Sequence, residues 1–281
     1  MRAVDRSRMR ANLGKWDESV PHHVASRLYQ VPAFRRGRDT LNSIEVAAVG
    51  PVRGLSLLHL QCHFGLDTLS WARRGAKVTG VDFSPTAVVT ARTLAQETGI
   101  PARFVESNIY DLPKRLKGSF DVVYTAKGAL CWLPDLDAWG RVVAHFLKPG
   151  GRFFVLDDHS AADIYRNERE TRAWELEGSY FSREPFREES DGTYAVAHAP
   201  FKNKVSYSWV HPVSEVITAL LRAGLVLEEF REFPYSYWKK FSFMRKGADG
   251  YYHLTLEEGR APLMFSVTAV RPGGRMRAGR R

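Results

Sequence analysis

The chain has almost nothing that would tie it to a membrane, an oxidising compartment or a metal. Its 281 residues include two cysteines, Cys62 and Cys131, too few for a disulfide framework or a zinc site. The longest uncharged apolar runs, LLHL (57–60) and FFVL (153–156), are strand-sized, far below the ~20 residues of a membrane span. The opening MRAVDRSRMR has no apolar stretch behind its arginines and does not read as a secretory signal. Repeats and low-complexity arms are missing as well. A cytoplasmic protein is expected. With 44% hydrophobic and 26% charged residues, the composition is that of a globular chain rather than a disordered or fibrous one.

Charge of one sign is scarce where a nucleic-acid enzyme would need it. The net charge is +10, but residues 1–10 hold four arginines against one aspartate, and 271–281 hold five arginines and no acid. These two short segments carry eight of the ten charges and read as solvated tails. A polyanion-binding enzyme places its positive stripe on the folded body.

What is present is a rhythm. Residues 11–50 read as helical. From 55 onward short β-like runs alternate with amphipathic helices: LSLLHL (55–60), KVTGV (77–81), PARFVE (101–106), FDVVYT (120–125) and RFFVLD (152–157). Ser84-Pro85 supplies an N-cap and a proline at the first helical position of a helix ending at Gly99. Trp139, Val142, Val143, Phe146 and Leu147 form one apolar helical stripe. Alternation with short links predicts a doubly wound parallel sheet covered on both faces. Residues 158–203 break the rhythm with dense charge (Arg166, Glu168, Arg169, Glu170, Arg172, then 183–191) and read as an insertion. KVSYSWV (204–210) resumes it, followed by a helix with Val213, Val216, Ile217, Leu220 and Leu221 on one face, then strands LVLEEFREF (225–233) and LMFSVTAV (263–270).

Ligands of such sheets sit at the carboxyl ends of the strands. The first strand is followed by Gln61-Cys62-His63-Phe64-Gly65-Leu66-Asp67-Thr68, a tight loop opening a helix. Asp82 follows the second, placed where a carboxylate accepts both ribose hydroxyls of a nucleoside. After the third comes Ser107-Asn108-Ile109, and after the fourth Thr125-Ala126-Lys127-Gly128 and then Trp132. Asp82 also suits a plain turn, Phe83 the core, Asn108 an Asx-turn and His63 a satisfied loop histidine. NAD binding competes for a glycine loop followed by an acid, but GxGxxG is absent.

The series LLHLQCHFG, VTGVDFS, FVESNIYDLP, FDVVYTAKGALCWLPD and LKPGGRFFVL, in this order over 55–157, resembles the class I S-adenosylmethionine-dependent methyltransferases. The chain departs from that family at the first strand, where His59 stands for the usual acid and Gln61 and His63 for two glycines, leaving Gly65. The resemblance implies a Rossmann-like α/β fold, a seven-stranded mostly parallel sheet with an antiparallel last strand, here elaborated by an N-terminal helical lid (1–50) and an inserted cap (158–203). The core would span 51–157 and close over 204–270, with an aromatic loop at 233–262 and a basic tail at 271–281. It implies S-adenosyl-L-methionine as cofactor and S-adenosyl-L-homocysteine as product. The loop residues Gln61, Cys62, Gly65, Asp67 and Thr68 would approach the methionine part, Asp82 the ribose, Phe83, Asn108 and Ile109 the adenine, and Thr125 the sulfonium.

On the acceptor side, no Asn-Pro-Pro-Tyr-like tetrapeptide follows the fourth strand, which argues against an adenine amino acceptor. Aromatic residues between Phe233 and Tyr252, interleaved with Lys239, Lys240, Arg245 and Lys246, would suit RNA stacking, or packing of the insertion, or a lid over a small molecule. Asp157, Asp158, His159, His198 and His211 are possible bases. The reading adopted is a small-molecule methyltransferase, with catalytic roles for His159, Asp158 and Tyr29 and acceptor contacts from Trp16, Trp132 and Tyr237. No metal, no membrane and no nucleic-acid partner is expected, and a homodimer stays open. An RNA methyltransferase and a non-catalytic cofactor-binding protein are the alternatives.

Overall fold

Strands buried on both faces dominate the centre of the molecule, as parallel sheets sandwiched by helices require. The computed structural model describes residues 3–165, 175–255 and 261–273. Helices α1 (Ala3–Ala25), α2 (Val31–Arg35) and α3 (Ser43–Val49) precede an alternating core. That core runs β1 (Ser56–Leu60), α4 (Leu66–Arg73), β2 (Lys77–Asp82), α5 (Pro85–Thr98), β3 (Arg103–Glu106), α6 (Leu112–Arg115), β4 (Phe120–Ala126), α7 (Leu136–Phe146) and β5 (Leu147–Asp158). After it come β6 (Phe186–Glu189), β7 (Val205–Ser208), α8 (Val213–Arg222), β8 (Val226–Phe233), β9 (Tyr235–Ser236), β10 (Met244–Lys246), β11 (Tyr252–Leu254) and β12 (Met264–Val270).

The main sheet has seven strands in the order β3-β2-β1-β4-β5-β12-β8. Strands β1 to β5 pair in parallel, and β12 runs antiparallel to both β5 and β8. This is the Rossmann-like order, with the reversal at β1/β4 opening a crevice at the strands' carboxyl ends. On one face α7 and α8 close the core. Trp139 stands edge-on to Phe153 at 5.5 Å, and Gly140 lets the helices approach so closely that a Cβ there would lie 2.6 Å from the Ala219 carbonyl oxygen. Ser84 caps α5 by accepting from the Ala87 N–H at 3.0 Å, and Gly99 ends it with φ 65°. The edge strand β8 is largely exposed and carries Glu228, Glu229, Arg231 and Glu232, charges that discourage pairing with a second chain.

Three expectations are corrected. KVSYSWV does not join the main sheet: β7 pairs antiparallel with β6 and packs on α1, where Asn12 exchanges two hydrogen bonds with the Tyr207 backbone at 2.8 and 2.7 Å. Leu221 is 51% exposed rather than part of the buried face of α8. The first ten residues are not a solvated tail, since from Ala3 the chain is helical, Asp5 and Met9 are buried, and Arg8 pairs with Glu184 at 3.1 Å. The buried side of α1 includes Asn12, Lys15 and Ser19, whose polar groups find partners, so no apolar stripe announces it. The charged residues Arg166, Glu168, Arg169, Glu170 and Arg172, and the basic tail from 274, lie outside the described residues.

Candidate active site

The loop after β1 keeps a glycine-like backbone without the glycines. Gln61, His63 and Gly65 have φ of 56°, 50° and 83°, in the left-handed region that costs non-glycine residues roughly 1–2 kcal/mol each. Contacts offset that cost at the first two positions. Gln61 Nε2 donates to the Ala129 carbonyl at 2.8 Å. The His63 N–H donates to Asp82 Oδ2 at 2.8 Å, and its ring clusters with those of His23 and Tyr29, with centroids 5.2 and 5.5 Å away. Gly65 alone is indispensable for space, because a Cβ there would lie 2.7 Å from the Phe104 ring.

Asp82 ends β2 with its carboxylate held by the backbone N–H groups of His63 and Ser84, at 2.8 and 3.0 Å. Burial pushes its pKa up to about 6, against the lowering effect of those donors. Beside it, Asp17 of α1 accepts from Ser84 Oγ, Thr86 N–H and Thr86 Oγ1 at 2.6, 2.9 and 2.8 Å, so the N-terminal helix is fastened to the Asp82 end of the crevice. Asn108 uses its Oδ1 to accept from the Tyr110 N–H at 3.0 Å. It is an Asx-type cap, and its amide nitrogen faces Met9 Sδ at 3.8 Å.

The acid missing from position 59 is not replaced there. His59 is buried, shares a 2.8 Å hydrogen bond with Thr68 Oγ1, and burial lowers its pKa to about 4, so it is a neutral ring. Charge appears instead just after β4. Lys127, at φ 63°, reaches Asp67 Oδ2 at 2.8 Å, Glu45 Oε2 at 3.2 Å and the Thr40 carbonyl at 3.0 Å. Burial alone would lower the Lys127 pKa, and the two carboxylates more than reverse it. Asp67 is held ionised by the same ammonium against its own burial, whereas burial raises Glu45. Sequence reading missed Lys127 and Glu45.

His59, Asp67 and Lys127 line one cavity of about 1340 Å³, which extends past Asp82, Phe83, Asn108 and Ile109 to an aromatic wall. Trp16 stands edge-on to Trp132 with ring centroids 5.1 Å apart and planes at 85°. Tyr194 lies 6.2 Å from Trp16 and 6.4 Å from Trp238. Tyr29, Tyr237 and Asp158 also face this space. Trp238 Nε1 donates to Asp158 at 3.0 Å.

Thus the cavity collects Gln61, Cys62, Gly65, Asp67, Asp82, Phe83, Asn108, Ile109, Tyr29, Asp158, Trp16, Trp132 and Tyr237 from the sequence-derived set. Thr68, Thr125 and His159 do not line it. Thr68 is occupied by His59, and the buried Thr125 hydroxyl has no partner among the described residues. His159 is not a free base. Its Nε2 meets Glu232 at 2.9 Å and its Nδ1 accepts from the Ala161 N–H at 3.1 Å. Asp157 is likewise committed, accepting from the N–H groups of Gly128, Ala129, Leu130 and Asp158 at 2.6–3.1 Å, although burial and the neighbouring Asp158 raise its pKa to about 7.

Comparison with known proteins places this geometry in a class. Residues 57–151 match a methyltransferase-domain family. The ubiquinone biosynthesis O-methyltransferases of Xanthomonas euvesicatoria pv. vesicatoria (strain 85-10) and Xanthomonas axonopodis pv. citri (strain 306) are 33% and 38% identical over 135 residues, 47% of this chain and 56% of each relative. The chain therefore matches about half the length of these curated relatives. The crystal structure of an S-adenosylmethionine dependent methyltransferase from Mesorhizobium loti superposes with a TM-score of 0.52 at 22% identity, covering 85% of this chain and 96% of that one, a likeness of fold. Residues 57–151 therefore carry a methyltransferase domain, and the fold around them is that of the S-adenosylmethionine-dependent methyltransferases. Among the described residues no helix is long and apolar enough to cross a membrane, and no His, Cys, Asp or Glu cluster could hold a metal.

Proposed function

We propose that the protein transfers a methyl group from S-adenosylmethionine to a small-molecule acceptor. The observation that carries this reading is the continuity of one cavity from the Asp82 carboxylate to the wall of Trp16, Trp132 and Asp158. At about 1340 Å³ it exceeds the ~300–1,000 Å³ of a single-ligand site and has room for cofactor and acceptor together. The residues fit the cofactor. Asp82 has lone pairs left for ribose hydroxyls, Phe83 and Ile109 offer apolar surface to an adenine, and Asp67 and Lys127 present opposite charges to the methionine ammonium and carboxylate. Gln61 Oε1, buried and without a partner among the described residues, is a further acceptor for that ammonium.

The cofactor supplies an electrophilic methyl on a sulfonium. The protein's task is then to align the acceptor and keep water out. Helix α1 and the turn after it do part of this by bringing Trp16 and Tyr29 to the crevice. Asp158 is the cavity-lining proton acceptor that remains once Asp157, His159 and His211 are committed, His211 Nε2 lying 2.7 Å from the Leu133 carbonyl, while His198 does not line the cavity.

An RNA acceptor is not favoured, because much of the aromatic segment is packing: Phe241, Met244 and Leu254 are buried with Leu263 in a cluster of their own. The two unpaired cysteines agree with a reducing, cytoplasmic setting. Titration calorimetry with S-adenosylhomocysteine tests the reading. Wild type should bind at one site, and Asp82→Ala should lose on the order of 2–3 kcal/mol, the worth of hydrogen bonds to a charged acceptor. Equal affinity of the two proteins, or no binding by wild type, overturns it.

A further inference from the structure

The cavity is charged against the rest of the molecule. The chain carries +10, yet ten of the residues lining the cavity are Asp or Glu and four are Lys or Arg. The ion pairs cut both ways: Lys127 and Lys240 are matched by Asp67 and Asp163, and Asp39 and Glu184 by Arg74 and Arg8, so acids still outnumber cations among the other lining residues. The lining histidines His59, His63 and His211 add no positive charge near neutral pH, since burial lowers the pKa of each. A carboxylate or phosphate acceptor would enter such a site against its field, and a cation would be drawn in.

The wall at the acceptor end is built for the same sign. Trp16 and Trp132 meet at 85°, so a group seated in their corner touches a ring face and a ring edge, and Tyr194 and Trp238 continue the wall at 60° to each other. Perpendicular aromatic walls with a carboxylate beside them are how an ammonium ion is held without full hydration. Trp238 already carries one cation, the Lys240 ammonium, 5.6 Å from its ring centroid. Asp158, half-buried, faces the cavity beside it with Trp238 Nε1 fixing its orientation.

We propose that the methyl acceptor is a small amine, bound as its ammonium ion against Trp16, Trp132 and Asp158; this rests on the methyltransferase reading above. Before transfer the ammonium gives one proton to Asp158, which frees the nitrogen lone pair. The nitrogen–carbon bond then forms as the sulfur–carbon bond breaks, and the electron pair of the broken bond stays on sulfur. The products are a methylated ammonium ion and the uncharged thioether, with the released proton on Asp158. Burial raises the Asp158 pKa, which suits a proton acceptor that must later return its proton to solvent.

The test uses a matched pair of soluble probes, choline and its uncharged isostere 3,3-dimethylbutan-1-ol, titrated into the full chain saturated with S-adenosylhomocysteine. Choline should bind at least roughly tenfold more tightly than the alcohol, as desolvated cation–π contacts of about 2 kcal/mol allow. Asp158→Asn and Trp132→Leu should each remove most of that difference. Trp132→Leu is included because Trp16 also packs α1, and retained S-adenosylhomocysteine binding certifies that each variant is folded. Equal affinity for the two probes, or no binding of either while S-adenosylhomocysteine binds, overturns the amine assignment alone. Failure of S-adenosylhomocysteine itself to bind removes the methyltransferase reading and this inference with it.

Discussion

His23, on the N-terminal helix, lies stacked on His63, in the loop after β1, with ring planes at 13° and His23 Nδ1 3.2 Å from His63 Nε2. The other nitrogen of His23 meets Thr193 Oγ1 of the inserted segment at 2.8 Å, so one imidazole joins α1, the insertion and the loop after β1. A contact between two ring nitrogens needs one proton and one lone pair, and two imidazolium rings cannot share it.

Both rings are therefore expected to stay neutral well below the usual histidine range. Burial lowers His23 to about 4 and, with the adjacent His23, puts His63 well below its ordinary value. In the unfolded chain each takes up a proton near pH 6.5, whereas in the folded chain neither does. The stabilisation is thus complete above about pH 6.5 and is lost as pH falls toward 4. Histidine proton resonances should show these two rings not titrating between pH 7 and 5. A midpoint near 6.5 for either contradicts the packing described.

The Lys127 ammonium should matter more for stability than a surface lysine. It is the cation facing Glu45, which is fully buried, and removing it leaves a carboxylate without a charge partner. Lys127→Ala is expected to cost about 3–5 kcal/mol in urea denaturation. The double variant Glu45→Gln, Lys127→Met should cost less than the single one. A single-variant loss below about 1 kcal/mol, the value of an exposed pair, would show the triad to be solvated.

Much of the core was legible because its signals are local. The five parallel strands, the Ser84 cap, the α7 stripe and Asp82 each follow from neighbouring residues, and β12 closes the sheet antiparallel beside β5 as the resemblance implied. What was not legible depends on partners far away in sequence. Lys127 meets Asp67 across 60 residues, and β7 finds β6 and α1 rather than the main sheet. Asp157, Asp158 and His159 look alike as candidate bases in a row. At the end of a strand, successive side chains point to opposite faces, and only Asp158 is left facing the cavity uncommitted to a backbone turn. The N-terminal helix was expected over 11–50, but its start at Ala3 was not, since its buried face is partly polar and is satisfied by residues of the insertion and of β7.

Asp17 is expected to hold that helix. Its carboxylate takes three hydrogen bonds from Ser84 and Thr86 at the start of α5, and bonds of this charged kind contribute about 1.5–3 kcal/mol. In Asp17→Ala, amide hydrogen exchange should accelerate across α1 while the amides of β1 and β4 keep their protection. Unchanged exchange in α1 would mean that other contacts carry the docking.

The central claim is that one crevice holds the cofactor at Asp82 and aims its sulfur at the aromatic wall. A crystal structure with S-adenosylhomocysteine measures this directly. The account predicts both ribose hydroxyls on the Asp82 carboxylate and the sulfur within ~8 Å, about two contact shells, of at least two of Trp16, Tyr29, Trp132, Asp158 and Tyr237. A ribose that does not touch Asp82, or a sulfur with none of these side chains inside that distance, would contradict it.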